Sequence, residues 1–376
     1  MRFIHTADWQ IGMKAVRVGE VGARVREARL LAINKVVEIA RNHSVEFVLI
    51  AGDTFEDNAV DRILIQRVVD LLSRFEIPVY VIPGNHDPLL PGSVWEHPAW
   101  KAAANVHVIR EEKPLEIPGG VLYACPVKRK HSVVDPTSWI ASAEGSPGIR
   151  IAVAHGTVEG IQSEEPDYPI PRDAVLRTGL DYLALGHWHS TALYPDGSGV
   201  TRMAYSGTLE TTKFGERDSG NVLIVDIPTK EQPPEIKSIH SGGLIWEQGE
   251  EDIRLTGDLK RVREHIETIE NEELTLINLS FKGLLSADDS DEITRIREII
   301  ASRFLYGHMD ISRLRPSPAD ESWVANLPVG IIRETGERLQ QLADPAFTGE
   351  RPENASPQVA SRALLELYAI AVEGLK

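Results

Sequence analysis

The chain has 376 residues, 42% hydrophobic and 26% charged, enough for two or three domains with cores of their own. Its formal net charge of -16 excludes a surface that binds polyanions indiscriminately, so any contact with nucleic acid would rest on local basic clusters. A single cysteine, Cys125, excludes an intrachain disulfide framework, no apolar run reaches the ~18 residues of a membrane span, and Asp8 interrupts the N-terminus too early for a signal peptide; a cytoplasmic protein without membrane contact is expected.

From Met1 to about Pro228, short apolar strands alternate with amphipathic helices. The first strand lies in "MRFIHTADWQIG" and stops at Asp8 and Gln10. A helix follows with Leu30, Ile33, Val37 and Ala40 as its inward stripe. Next come the strand "FVLIA" at 47–51, a helix over about 60–74, and the strands "VYVI" at 79–82, "IAVA" at 151–154, "YLAL" at 182–185 and "VLIV" at 222–225. Uninterrupted apolar strands are typically buried on both faces, which reads as an α/β domain. The stretch "PTKEQPPE" at 228–235 reads as its boundary, giving a first domain over 1–230.

A helix–strand pattern then occurs twice. Leu259, Val262, Ile266 and Ile269 share a helical face before the strand "LTLINLSF", and Ile293, Ile296 and Ile300 mark a helix before "HMDISRL". These predict a small α+β domain over 231–316. The linker "RPSPADES" at 315–322 leads into a helical tail over 317–376. There Ser356 is a natural N-cap, Pro357 suits the first helical position, and the last helix runs nearly to Lys376 with Leu364, Leu367, Ile370 and Ala371 roughly on one face.

Each strong strand of the first domain is followed almost at once by a metal-competent group: Asp8, Asp53, Asn85 and His86, His155, then His187 and His189. In α/β sheets the carboxyl ends of the strands border the ligand crevice, so these groups can converge there. Singly, each has an ordinary structural explanation. Asp8 suits a helix cap, Asp53 a turn after Gly52, Asn85 a turn after Pro83-Gly84, and His155 a satisfied core histidine. The two histidines of "GHWH" need not face one ion, since side chains alternate along an extended segment. Their common placement at strand ends makes coincidence improbable.

"DWQ", "GDTFED", "GNHD", "AHG" and "GHWH" together resemble the ordered motifs of calcineurin-like metallophosphoesterases. More narrowly, "FIHTADWQIG" with "YSGTLETTKFGE" at 205–216 resembles SbcD-type nucleases of double-strand-break repair. The resemblance implies a sandwich of two sheets flanked by helices, a smaller capping domain that guides DNA, and a C-terminal helical segment that binds an SMC-like ATPase of the SbcC type; it leaves a homodimer open. It also implies two divalent metals, with manganese expected because the donors are oxygens and imidazoles without thiolate. Such a pair, roughly 3.5–4 Å apart, activates water and stabilises the oxygens of a phosphoryl displacement. By resemblance Asp53 bridges the ions, Asp8, Gln10 and His189 serve the first, and Asn85, His155 and His187 the second. His86 matches the histidine that steadies the pentavalent phosphate and protonates the leaving oxygen, with Asp87 as its orienting partner or a turn cap.

Two positions depart from the family. Relatives usually carry histidine where Gln10 stands, and an amide oxygen is the weaker donor; they often carry histidine or aspartate where Glu56 stands, which here more readily shapes substrate access. For DNA contact the sequence offers Lys128, Arg129, Lys130 and His131, a cluster more often a solvated loop, and Lys213 and Arg217, equally members of surface ion pairs. Besides the nuclease, two alternatives stay open: a phosphoesterase for nucleotides or other small phosphoesters, favoured by the acidic composition, and a scaffold subunit of weakened activity, suggested by Gln10 alone.

Overall fold

Runs of apolar, often β-branched residues bounded by glycine and polar turns give the first strands, and their alternate side chains serve two cores. In the computed structural model, which describes residues 1–142, 148–160, 167–230, 232–255, 257–286, 289–318 and 321–374, β1 spans Arg2–Thr6 and is followed by helix α1, Gly22–Asn42. Then come β2 (Phe47–Ala51), α2 (Arg62–Leu72), β3 (Val79–Ile82), β4 (Val106–Val108), β5 (Pro114–Ile117), β6 (Gly120–Ala124) and β7 (Ile149–His155). The first unit continues through α3 (Ala174–Thr178), β8 (Tyr182–Gly186), β9 (Ala192–Pro195), β10 (Thr201–Tyr205), β11 (Asn221–Asp226) and β12 (Glu235–His240).

These strands form two six-stranded sheets, in the orders β12-β11-β1-β2-β3-β4 and β5-β6-β7-β8-β10-β9. Strands β1 to β4 run parallel, as do β6, β7, β8 and β10, so the carboxyl ends within each group share an edge. Phe47, Leu49 and Ala51 face the second sheet, where the Phe3 ring stacks on Phe47 at 4.8 Å and meets Tyr182 edge-on at 5.8 Å. Val48 and Ile50 instead join the helix side with Leu30, Ile33, Val37 and Ala40 of α1, the stripe anticipated for that helix. The second sheet's outer face packs on Ala174 and Val175 of α3. The result is a mixed α/β sandwich of two sheets flanked by helices. Helix α2 is shorter at both ends than the 60–74 expected; it starts at Arg62 because the Asp61 side chain caps it, accepting from Ile63 N at 2.7 Å.

The chain divides into two compact units, Met1–Trp246 and Glu247–Lys376. The stretch 228–235, expected as a boundary, carries the chain from β11 back into β12, which pairs antiparallel with it over six residues; Glu231 lies outside the described residues. Beyond β12 run β13 (Ile245–Ile253), α4 (Asp258–Glu267), β14 (Thr275–Leu285), α5 (Ser290–Arg303) and β15 (Tyr306–Pro316), with the three strands in one sheet. Leu259, Ile266, Ile293, Ile296 and Ile300 are buried in its core. Of the expected linker at 315–322, residues 319 and 320 lie outside the described residues.

The tail contains α6 (Ile331–Ala343) and α7 (Pro357–Gly374), the latter opened by Ser356, whose Oγ accepts from Val359 N at 3.3 Å. Residues 375 and 376 lie outside the described residues. Leu364 of the anticipated stripe is buried against Val324 and Leu327, and Leu367 and Ala371 pack on the same cluster. That stripe is therefore covered within the chain, while Ile370 stays exposed. Among the described residues no helix is long and apolar enough to cross a membrane.

Candidate metal centre

The two sheets touch where their carboxyl edges meet. Gly186, at the end of β8, lies so close to β2 that a Cβ would stand 1.9 Å from Ala51 O, and at Gly52 (φ +90°) it would stand 2.4 Å from His155 Nδ1. Only glycine fits either place, so the glycines of "AGD" and "LGH" let donors from both sheets share one crevice.

The backbone at that crevice is held in a conformation L-residues seldom adopt. Asp8 (φ 52°), Gln10 (φ 48°), Asp53 (φ 50°) and His187 (φ 106°) all have positive φ without being glycine. Such residues cost about 1–3 kcal/mol each and persist where surrounding contacts dictate them. Here Asp8 N donates to Gly52 O and Gln10 N to Asp53 O, both at 3.1 Å. The two Asp8 oxygens accept from His187 N at 3.0 Å each. The N-terminal strand thus ends on a carboxylate because its last turn is wound into the rim and latched to both neighbouring strand ends.

Asp8, Asp53 and His155, all fully or almost fully buried, bring one ligand atom apiece within 4.8 Å of one another. His155 Nδ1 donates to Ala51 O at 2.8 Å, which leaves Nε2 as the inward nitrogen. Nε2 lies 2.8 Å from Asn85 Oδ1 and 3.4 Å from Asp53 Oδ2. His187 Nδ1 stands 3.1 Å from the same Asn85 oxygen. Lone-pair donors aimed at one another require a positive charge among them. Burial alone would lower the His155 pKa, but the Asp53 carboxylate outweighs it and raises it, while the histidine in turn holds Asp53 below the usual carboxylate range despite its burial. Burial raises Asp8, and burial together with the neighbouring His155 pushes His187 down to about 3. The oxygen and imidazole donors of the pocket fit a divalent metal.

Gln10 belongs to the same pocket. Its Nε2 donates to Asp53 Oδ2 at 3.1 Å, and its Oε1 is buried without a hydrogen-bond partner, an oxygen suited to a metal. His189 sits beside Asp8 and close enough to lower its pKa. His189 Nδ1 meets Glu216 Oε1 at 2.9 Å, which leaves Nε2 as its other nitrogen. His86 is exposed at the rim; its main-chain N donates to Asp53 Oδ1 at 2.8 Å and its Nδ1 to Glu56 O at 2.9 Å.

Of the residues singled out in the sequence, Asp8, Asp53 and His155 stand together, Gln10, Asn85 and His187 join them through the contacts above, His86 meets Asp53 by its main chain alone, and His189 is held by Glu216 beside Asp8. Asp87 has a different task from the orienting one considered for it: fully buried, it accepts from Gly84 N at 2.7 Å and Phe55 N at 2.9 Å and so ties two rim loops together. Glu56 contributes its carbonyl to His86, while its half-buried carboxyl has a pKa raised by burial. Sequence reasoning missed the supports. Arg29, 1% exposed, donates to Trp9 O (2.8 Å), Glu210 O (2.9 Å) and Thr208 Oγ1 (3.0 Å), bracing the turn that carries Asp8 and Gln10. Glu216 lies in the "YSGTLETTKFGE" stretch, where its role depends on a loop fold that no local pattern announces.

The sequence profile of the calcineurin-like phosphoesterases matches residues 1–191. YhaO of Bacillus subtilis (strain 168), an uncharacterised metallophosphoesterase, is 24% identical over 267 residues, covering 67% of this chain and 63% of its own length. The chain thus spans less than two thirds of that relative. Among solved structures, a protein of Thermus thermophilus aligns with 64% of this chain and 98% of its own at 10% identity and a TM-score of 0.42. GAP50, the anchor in the inner membrane complex of Plasmodium, aligns with 64% and 84% at 13% identity and a TM-score of 0.40. With a profile match over half its length, the chain belongs to the calcineurin-like phosphoesterase family, metal-dependent hydrolases of phosphoesters.

Proposed function

We propose that the chain is a metal-dependent DNA nuclease of the SbcD type, hydrolysing phosphodiesters in double-strand-break repair with manganese as its metal. The observation that carries this reading is the crevice: buried carboxylates, amides and imidazoles from both sheets converge there, and exposed His86 stands at its rim. The narrower assignment is supported by the joint resemblance of "FIHTADWQIG" and "YSGTLETTKFGE" to that group.

Asp53 would be shared by both ions, with Asp8, Gln10 and His189 on one and Asn85, His155 and His187 on the other. When bound, the pair supplies an acidified water and positive charge for the phosphate oxygens. His86, fixed by the Asp53 carboxylate and the Glu56 carbonyl, keeps Nε2 for the substrate, where a protonated ring steadies the phosphate and gives its proton to the leaving oxygen. Asp8, Gln10 and Asp53 are wound into place by the backbone and need little reorganisation to hold ions.

DNA would be met by exposed Lys128, Arg129 and Lys130, and by Lys213 and Arg217 in the "TTKFGERD" stretch. An SMC-like ATPase would dock on the tail. Since the α7 stripe is covered, the docking residues are Val329, Ile331 and Ile332, which are 86%, 82% and 49% exposed. A formal net charge of -16 favours a second reading, a phosphoesterase for small substrates. Manganese-dependent hydrolysis of linear duplex DNA, single-stranded DNA and bis-p-nitrophenyl phosphate separates the two. Cleavage of DNA supports the nuclease; hydrolysis of the small ester alone, with the ATPase present as well as absent, overturns it.

A further inference from the structure

The loop between β10 and β11 does more than follow the last histidine. Glu216 holds His189 from behind through Oε1, and its own pose is fixed by Thr212, whose main-chain N donates to Oε2 at 2.7 Å and whose hydroxyl donates to Oε1. The Thr212 hydroxyl also lies 3.4 Å from His189 Nδ1. At its other end the loop carries fully buried Glu210, which accepts from Gly243 N at 2.6 Å and Leu244 N at 3.3 Å. Between the two, the Phe214 ring packs edge-on against Trp246 with centroids 4.8 Å apart. Arg29 pins the loop's main chain to the Trp9 carbonyl. One loop therefore grips a proposed metal ligand with one carboxylate, and grips the last residues of the first unit with another carboxylate and a ring.

We propose that Glu216 is the positioning residue for His189, and that its loop is braced against Gly243–Trp246, so that the pose of one metal ligand depends on chain remote in sequence from every other ligand. The proposal rests on the metal reading given above. A carboxylate on Nδ1–H fixes the tautomer and orientation of an imidazole and makes its other nitrogen a better donor; outer partners of this kind are worth about 10–100-fold in metal affinity. The loop's separate anchors make the carboxylate rigid enough to do so.

The test is a calorimetric manganese titration of the full chain and of E216A, E216Q and F214A, with circular dichroism to check the fold. The wild type should take up two ions. E216A should bind one of them about 10–100-fold more weakly and leave the other unchanged. E216Q, which keeps one oxygen acceptor for His189, should fall between the two. F214A touches no donor and should weaken the same ion. Wild-type titrations for E216A and E216Q overturn the positioning role, and an unchanged F214A overturns the brace, in both cases leaving the metal reading intact. Equal weakening of both ions marks the effect as general loosening and overturns the assignment to His189. If the wild type binds no metal, the metal reading and this inference fail together.

Discussion

Asp53→Asn removes the charge at the centre of the crevice while keeping its shape. In the wild type Oδ1 accepts from His86 N at 2.8 Å, and Oδ2 accepts from Gln10 Nε2 at 3.1 Å. An amide nitrogen has to occupy one of those two positions, and in either it confronts a donor. One buried donor is left unpaired, at a cost of about 1–3 kcal/mol. For a domain of this size each kcal/mol is worth about 2–4 °C in Tm, so the metal-free variant should melt about 2–12 °C below the wild type with an unchanged circular dichroism spectrum. Loss of a shared carboxylate should weaken metal binding beyond the ~100-fold upper range for outer partners, at least about 2.7 kcal/mol. Melting in chelator, calorimetric manganese titration and hydrolysis of bis-p-nitrophenyl phosphate read the three effects. Near wild-type hydrolysis by folded Asp53→Asn would refute the bridging role, and an unchanged metal-free Tm would refute the donor geometry.

Gln10→His exchanges an amide for an imidazole where Oε1 is buried without a partner, so manganese should bind more tightly and cleavage rise at limiting metal, with less effect at saturation; identical affinities would place position 10 outside the ligand set. Manganese at 100 times its Kd should stabilise the chain by about 2.7 kcal/mol for each ion bound, read as a rise in Tm that chelator reverses, and a Tm indifferent to metal would count against the site. Arg29→Lys keeps the charge but cannot span Trp9 O, Glu210 O and Thr208 Oγ1 together, so Tm should fall by several degrees; an unchanged Tm would show that the brace contributes nothing. Replacing Val329 and Ile331 by Asp should abolish co-purification with an SMC-like ATPase while sparing the small phosphodiester, and retained co-purification would exclude that surface.

The central strands were legible because each is a short, unbroken apolar run buried on both faces, as at Phe47–Ala51. The edge strands of the two six-stranded sheets were not. In β12 the side chains of Glu235, Lys237, Ser238 and His240 are exposed and only Ile236 and Ile239 pack on the cores, three apart rather than in alternation, so pairing with β11 decides the conformation. The groups of the crevice were legible only as a set: each alone has an ordinary structural explanation, but one follows almost every strong strand of the first domain. Asp87 was harder to read, since a buried carboxylate that takes two main-chain N–H groups looks locally like an ordinary turn residue. Glu216 could not have been paired with His189 from spacing, because the two are 27 positions apart and the stretch between them includes two strands and the turn of the loop. The stripe on α7 was legible as a stripe, but amphipathicity does not say what covers it, and Val324 and Leu327 of the chain itself do.

The donors are divided between the layers of the sandwich. Asp8, Gln10, Asp53 and Asn85 follow strands of one sheet, and His155, His187 and His189 end or follow strands of the other. Elsewhere the layers are held by apolar contact, which is forgiving of small slippage, whereas coordination is directional and short in range. Ions at the seam would act as rivets, fixing the register of one layer on the other. Their removal should then be felt first as easier parting of the layers, with exchange of the amides near Asp8 and His187 accelerating before that of the β1–β2 ladder, because the ladder's hydrogen bonds lie within a single layer.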